Sequence, residues 1–160
     1  MLKPAVLLTA VVLTCAASPV VAQEATGAGR IKVVSGSAFI VRGGTEQPAQ
    51  AGQVVFQADT VRTGRDGRIG ITLKDDTRIS LGPASEVRLD RFAYAPSEGV
   101  FGLVLRVSRG VAAYVSGRLA KLAPDSIRLE TPAAIVGVRG TTLAIRVLPV
   151  STSAEASADK

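Results

Sequence analysis

Histidine and tryptophan are absent from the 160-residue chain, and its one cysteine, Cys15, lies near the N-terminus. Once that segment is removed, the mature chain holds neither thiol nor imidazole. Disulfides, ordinary His/Cys zinc or copper sites and His-dependent catalytic triads are thereby excluded. Aromatic residues make up only 4%, so the core must be built from Val, Ile, Leu and Ala, a mixture that favours strands where it alternates. No stretch of ordinary helix length carries a 3.6-residue period, and no second long apolar run follows the first. The glycine-bearing turns Gly64-Arg65-Asp66-Gly67 and Gly137-Val138-Arg139-Gly140 match neither a dinucleotide-binding nor a P-loop fingerprint and open no helix; both read as hairpin turns.

What the chain has in excess is positive charge: 19 Lys and Arg against 13 Asp and Glu, a net charge of +6. That balance points to an anionic partner. Arg42, Arg62, Arg78, Arg88, Arg106, Arg128 and Arg146 are spread singly, however, with no aromatic stacking platforms between them, and nucleic-acid binding is not expected.

The N-terminus reads as an address. Lys3 supplies a positive start, residues 5–17 form an apolar run, and Val20-Val21-Ala22 places small residues where signal peptidase reads them. Cleavage between Ala22 and Gln23 is expected, and the run is too short to span a bilayer comfortably. A rival reading makes Cys15 the lipidated first residue of a lipoprotein, although Thr14 is an unusual residue to precede it.

The length allows one domain. Residues 23–30 read as a linker. Residues 31–34 and 38–41 flank Ser35-Gly36 as a first hairpin, residues 45–52 read as loop, and residues 54–56 and 59–62 as short extended pieces. The clearest strand alternates Ile69, Ile71 and Leu73 with Arg68, Gly70, Thr72 and Lys74, one face for the core and one for water. Ile79 and Leu81, then Val87 and Leu89, repeat the pattern. Leu103, Leu105 and Val107 lead to Ser108-Arg109-Gly110, read as the turn of a second hairpin. Residues 118–122 suit a helical turn, and Ile127 to Leu148 reads as three closing strands with Leu129, Leu143 and Ile145 facing inward. The Ser/Ala-rich residues 149–160 should be a disordered tail. The class is all-β: antiparallel strands in a twisted sandwich or a short solenoid-like stack.

Three segments carry a family resemblance: Ala58-Asp59-Thr60-Val61-Arg62-Thr63-Gly64 with the strand after Gly67; Leu73-Lys74-Asp75-Asp76-Thr77-Arg78-Ile79-Ser80-Leu81; and, most specific, the run from Glu130 through Thr131-Pro132, a small-apolar strand and Arg139-Gly140-Thr141 to Leu143. Together they resemble the FecR-like domain of bacterial envelope regulators, over residues 31–148. The resemblance implies an all-β envelope domain and a relation to FecR-type signalling. The sigma-factor-binding segment and membrane span of the family's regulators are not expected in this sequence.

Asp59, Asp66, Asp75 and Asp76 are close in sequence but lack the ligand ladder of a Ca²⁺ loop, and turn chemistry accounts for them. No catalytic residue, metal or cofactor is therefore expected. Arg139 and Arg65, at loop tips, are the binding candidates. The expected function is that of a non-enzymatic exported binding module, periplasmic or secreted, which meets an envelope protein partner in a sensing or adaptor role. The alternative is a structural or adhesion module on an anionic envelope polymer.

Overall fold

A computed structural model describes residues 27–140 and 142–148. The expected signal peptide, Cys15, half of the expected linker and the tail lie outside them, and the linker's last two residues, Gly29 and Arg30, already belong to the first strand. The described residues are 59% strand and 8% helix, the all-β class that alternation required. Twelve strands form one sheet, curled so that its two halves share a core.

The first half is built from β1 (Gly29–Ser35), β4 (Val54–Val55), β6 (Arg68–Leu73) and β7 (Arg78–Leu81), in the order β4-β1-β6-β7. The second is built from β2 (Ala38–Arg42), β3 (Thr45–Pro48), β5 (Thr60–Thr63) and β8 (Glu86–Ala95), in the order β3-β2-β5-β8. The halves are joined by β9 (Val100–Val115). Its first part pairs with β8, its last part with β7. On its other side β9 pairs with β10 (Ile127–Glu130), the one parallel contact in the pairing, and with β12 (Thr142–Val147); β11 (Ile135–Gly137) closes a hairpin onto β10. A short helix, α1 (Leu119–Leu122), lies between β9 and β10, as the sequence suggested.

Alternation places the core correctly. Ile69, Ile71, Leu73, Ile79, Leu81, Leu103, Leu105, Ile127 and Leu129 are all buried, while Leu143 and Ile145 are half-buried against that core. Facing residues from both halves meet in it, Ile71 and Ile79 from one, Val87 and Leu105 from the other.

The connections depart from expectation. Strands β1 and β2 do not pair with each other: Ser35 and Gly36 carry the chain from one half to the other. The true first hairpin is β2–β3 across Gly43 and Gly44, whose φ of 55° and 82° suit a tight turn. β3 was hidden because all four of its residues are exposed and therefore show no apolar alternation. Residues 108–110 are no turn either, since β9 runs through them for 16 residues. Gly110, with φ 83°, marks the bend where the strand passes between halves, and a Cβ there would collide with Ser85.

These crossings stack into a seam. The Ser37 carbonyl accepts from Gly64 N–H at 2.8 Å, the Gly64 carbonyl from Ala84 N–H at 2.8 Å, the Val111 carbonyl from Gly82 N–H at 2.9 Å, and Val111 N–H donates to Ser85 Oγ at 2.8 Å. Gly64 and Gly67 serve close approach here, not positive φ: neither has one, and a Cβ on Gly67 would overlap the Ser37 carbonyl.

Candidate interaction surface

The fold uses the carboxylates Asp59, Asp66, Asp75 and Asp76 as fasteners. Asp59, 1% exposed, takes both branches of the Arg42 guanidinium, at 2.8 Å and 2.7 Å, and accepts Phe56 N–H at 2.8 Å. The hydrogen bond from Arg42 to Asp59 is the main cause holding Arg42 above its ordinary pKa, and the guanidinium also lies 4.4 Å over the Phe56 ring. Asp75, fully buried, accepts Thr77 Oγ1–H at 2.6 Å and Leu119 N–H at 3.4 Å, so a turn residue also anchors the crossing from β9 to α1. Asp66 Oδ2 accepts from the Ser37 N–H and hydroxyl at 3.3 Å each. Asp76 pairs with exposed Arg118 at 2.8 Å. Turn chemistry thus covers part of the set, and Asp59 and Asp75 reach further than a turn. Among the described residues no group of three or more His, Cys, Asp or Glu side chains could hold a metal ion.

The sheet's edges differ in how they are guarded. β3 carries Glu46 and ends in Pro48, and β4 is two residues long, both ordinary ways of blunting an edge. β11 has no such guard. All three of its residues are exposed, Ile135 at 70% and Val136 at 37%, and among the described residues it pairs only with β10. Among the described residues β12 pairs only with β9. Apolar residues on an open edge are the raw material of strand addition. Composition could not reveal this, because Ile135 and Val136 look like core residues until the pairing shows nothing beyond them.

Arg65 is exposed at the tip of the turn between β5 and β6. Arg139 follows β11 and meets Asp125 at 2.8 Å, both side chains about four-fifths exposed (79% and 80%). The two arginines are not brought together. Register sets Arg68 opposite Ser35, and Thr72 and Thr142 at the other end of the same sheet half. Arg65 and Arg139 therefore sit at opposite ends, on the order of 15–20 Å apart along the strands. Gly140 has the positive φ expected of it, 54°, but it joins β11 to a strand that does not pair with β11, so the turn is a crossing rather than a hairpin.

A family model described as FecR protein matches residues 59–158. The chain belongs to the FecR family. The match opens at the buried Asp59 and takes in β5 through β12; β1 to β4, outside it, complete both halves of the FecR fold by pairing with β6 and β5. Neither a curated protein nor a solved structure matches the chain. The FecR family is one of signalling regulators found in envelope signalling proteins, and membership suggests involvement in FecR-type signalling. No helix among the described residues is long and apolar enough to cross a membrane.

Proposed function

We propose that this FecR domain is a non-enzymatic binding module of the bacterial envelope, with a sensing or adaptor role, which takes an extended segment of a protein partner onto the open edge of β11. The observation that carries the reading is Ile135, 70% exposed on an edge strand whose three residues all face solvent. A large aliphatic residue in that position costs solubility unless a partner covers it. Added main-chain hydrogen bonds would give affinity, and the exposed side chains would give register and specificity. Arg139, on the crossing that joins the two edge strands, is the proposed charged contact; Arg65, at the other end, has no part in this site.

Export by a signal peptide cleaved after Ala22 brings the domain to its partner in the periplasm or outside the cell. Mass spectrometry of the mature protein tests this, and a diacylated Cys15 would establish the anchored alternative. For the edge itself, a photo-crosslinking residue at position 135 should capture one protein from the envelope fraction. Ile135→Lys should abolish capture by a probe placed at position 136 without lowering the melting temperature. Undiminished capture by Ile135→Lys would remove the edge as the site.

A further inference from the structure

The two outer faces of the curled sheet handle their charge in opposite ways. On the half containing β5 and β8, arginines and acids mostly neutralise one another, Arg91 and Arg128 excepted. Arg62 meets Glu46 at 3.0 Å and Glu86 at 2.9 Å, Arg109 meets Glu86 at 3.2 Å, Arg88 meets Asp90 at 2.9 Å, and Arg106 meets Asp90 and Glu130 at 3.1 Å and 3.0 Å. The half containing β1 and β6 carries cations without such answers. Arg30 donates only to the Gly52 carbonyl, at 3.1 Å, and Lys32, Lys74, Arg78 and Lys121 are exposed and form no ion pair among the described residues.

These cations line one feature. A groove of about 660 Å³ is bordered by Arg30, Lys32, Thr72, Lys74 and Asp76. It adjoins a second of about 410 Å³, which shares Asp76 and adds Arg78, Arg118 and Lys121. A third, about 390 Å³, shares Lys121 and Val115 and ends at Thr142. Register sets Arg30 beside Thr72, Thr72 beside Arg78, Arg78 beside Val115 and Val115 beside Thr142. The furrow therefore crosses five neighbouring strands at right angles, roughly 19 Å at the usual strand spacing. Its only carboxylate among the described residues, Asp76, is already held by Arg118, whose charge Asp76 in turn stabilises.

Packing does not explain this arrangement, because like charges set along a concave strip repel one another and focus a positive field in it. Arg68 and Arg146, exposed farther along the same face, extend that field. A compact anion would be satisfied by two or three donors, and a flat bilayer would meet a convex or planar face better than a furrow. A base-bearing strand would want free aromatic rings, and Phe56, the one ring lining the furrow, is covered by Arg42. We propose that this furrow is a second binding site, separate from the open edge, for a linear polyanion laid across the strands, its phosphate or carboxylate groups met in turn by Arg30, Lys32, Lys74, Arg78 and Lys121.

The test titrates the mature protein with inorganic polyphosphate, with polygalacturonate, with monomeric phosphate and with phosphatidylglycerol vesicles. Binding to at least one of the two polymers is expected, with an affinity that falls steeply as salt rises because counterions are released. Preference between the two identifies phosphate or carboxylate as the natural anion. Reversing both charges in Lys74→Glu/Arg78→Glu should weaken polymer binding by about tenfold or more, whereas Arg128→Glu, an exposed and unpaired site on the other half, should change it by less than about twofold. Lys32→Glu/Lys121→Glu repeats the test should the first pair fold poorly. Equal losses in Arg128→Glu, monomeric phosphate binding as tightly as polymer, no binding to either polymer at low salt, or binding to vesicles alone would each overturn the proposal.

Discussion

Two Arg–Asp pairs in this domain have almost the same geometry, and they belong to regions built on different terms. Arg42 and Asp59 meet at 2.7 Å with Asp59 1% exposed; Arg139 and Asp125 meet at 2.8 Å with both side chains about four-fifths exposed. The same contrast runs through the glycines. A Cβ on Gly67, Gly110 or Gly117 would strike the backbone or side chain of a neighbouring crossing, while one on Gly137 or Gly140 would meet nothing within 4 Å. It runs through the strands as well: β6 buries every second residue, and β11 buries none. The body from β1 to β9 is thus specified largely by packing, whereas in the stretch from Thr131 to Leu143 only Val138 is fully buried and Leu143 half-buried. That stretch is also where the resemblance to the FecR domain is most specific. Val138 and Gly140 answer to the fold, through burial and a positive φ; the exposed Ile135 and Arg139 do not, which is the physical case for placing recognition there.

The comparison breaks most visibly at the buried pair. Arg42→Ala would leave Asp59 charged, buried and held only by a backbone N–H, and should cost about 3–5 kcal/mol in urea unfolding. A loss below about 1 kcal/mol would show that water reaches Asp59 and that the body is looser than its burial implies. Next come the apolar side chains. Ile71→Ala should cost about 2–5 kcal/mol, and Ile145→Ala, on half-buried β12, about 1–1.5 kcal/mol; equal losses would put both regions on the same footing. Glycine substitutions sharpen the contrast further. Gly67→Ala pushes against the Ser37 carbonyl and should cost about 1–3 kcal/mol, whereas Gly137→Ala, with open space and no positive φ, should stay within about 0.5 kcal/mol.

The body's signature was legible in sequence for the same reason it is stable. Ile69, Ile71, Leu73, Ile79 and Leu81 alternate because one face of their strands is buried, and alternation is a local signal. Whether a turn reverses the chain or carries it between sheet halves is not local. Ser35-Gly36 and Ser108-Arg109-Gly110 offer ordinary turn residues, yet the first is a crossing and the second a bend within β9, decided by hydrogen bonds to residues far along the chain. The two candidate surfaces were legible in fragments only. Arg68, Gly70, Thr72 and Lys74 could be assigned to one outward face, but that its cations lack acidic partners while most of those on the other half have them depends on pairing no periodicity encodes.

The smallest expected effect is the most discriminating. Arg139 and Asp125 are exposed, and such a pair is worth about 0–1 kcal/mol at most because water and salt screen it. Arg139→Ala should therefore shift stability by less than about 0.5 kcal/mol. Its neighbour behaves differently for a reason unrelated to contacts: Gly140 sits at φ 54°, where a β-branched residue is strained, so Gly140→Val should cost about 1–3 kcal/mol despite the empty space around it. If the crossing is a recognition surface, Arg139→Ala weakens partner capture while its unfolding curve overlays that of the wild type, and Gly140→Val disturbs both. An Arg139→Ala protein that unfolds as readily as Gly140→Val would assign the arginine to the fold, because an exposed pair with no structural duty has no means of producing that loss.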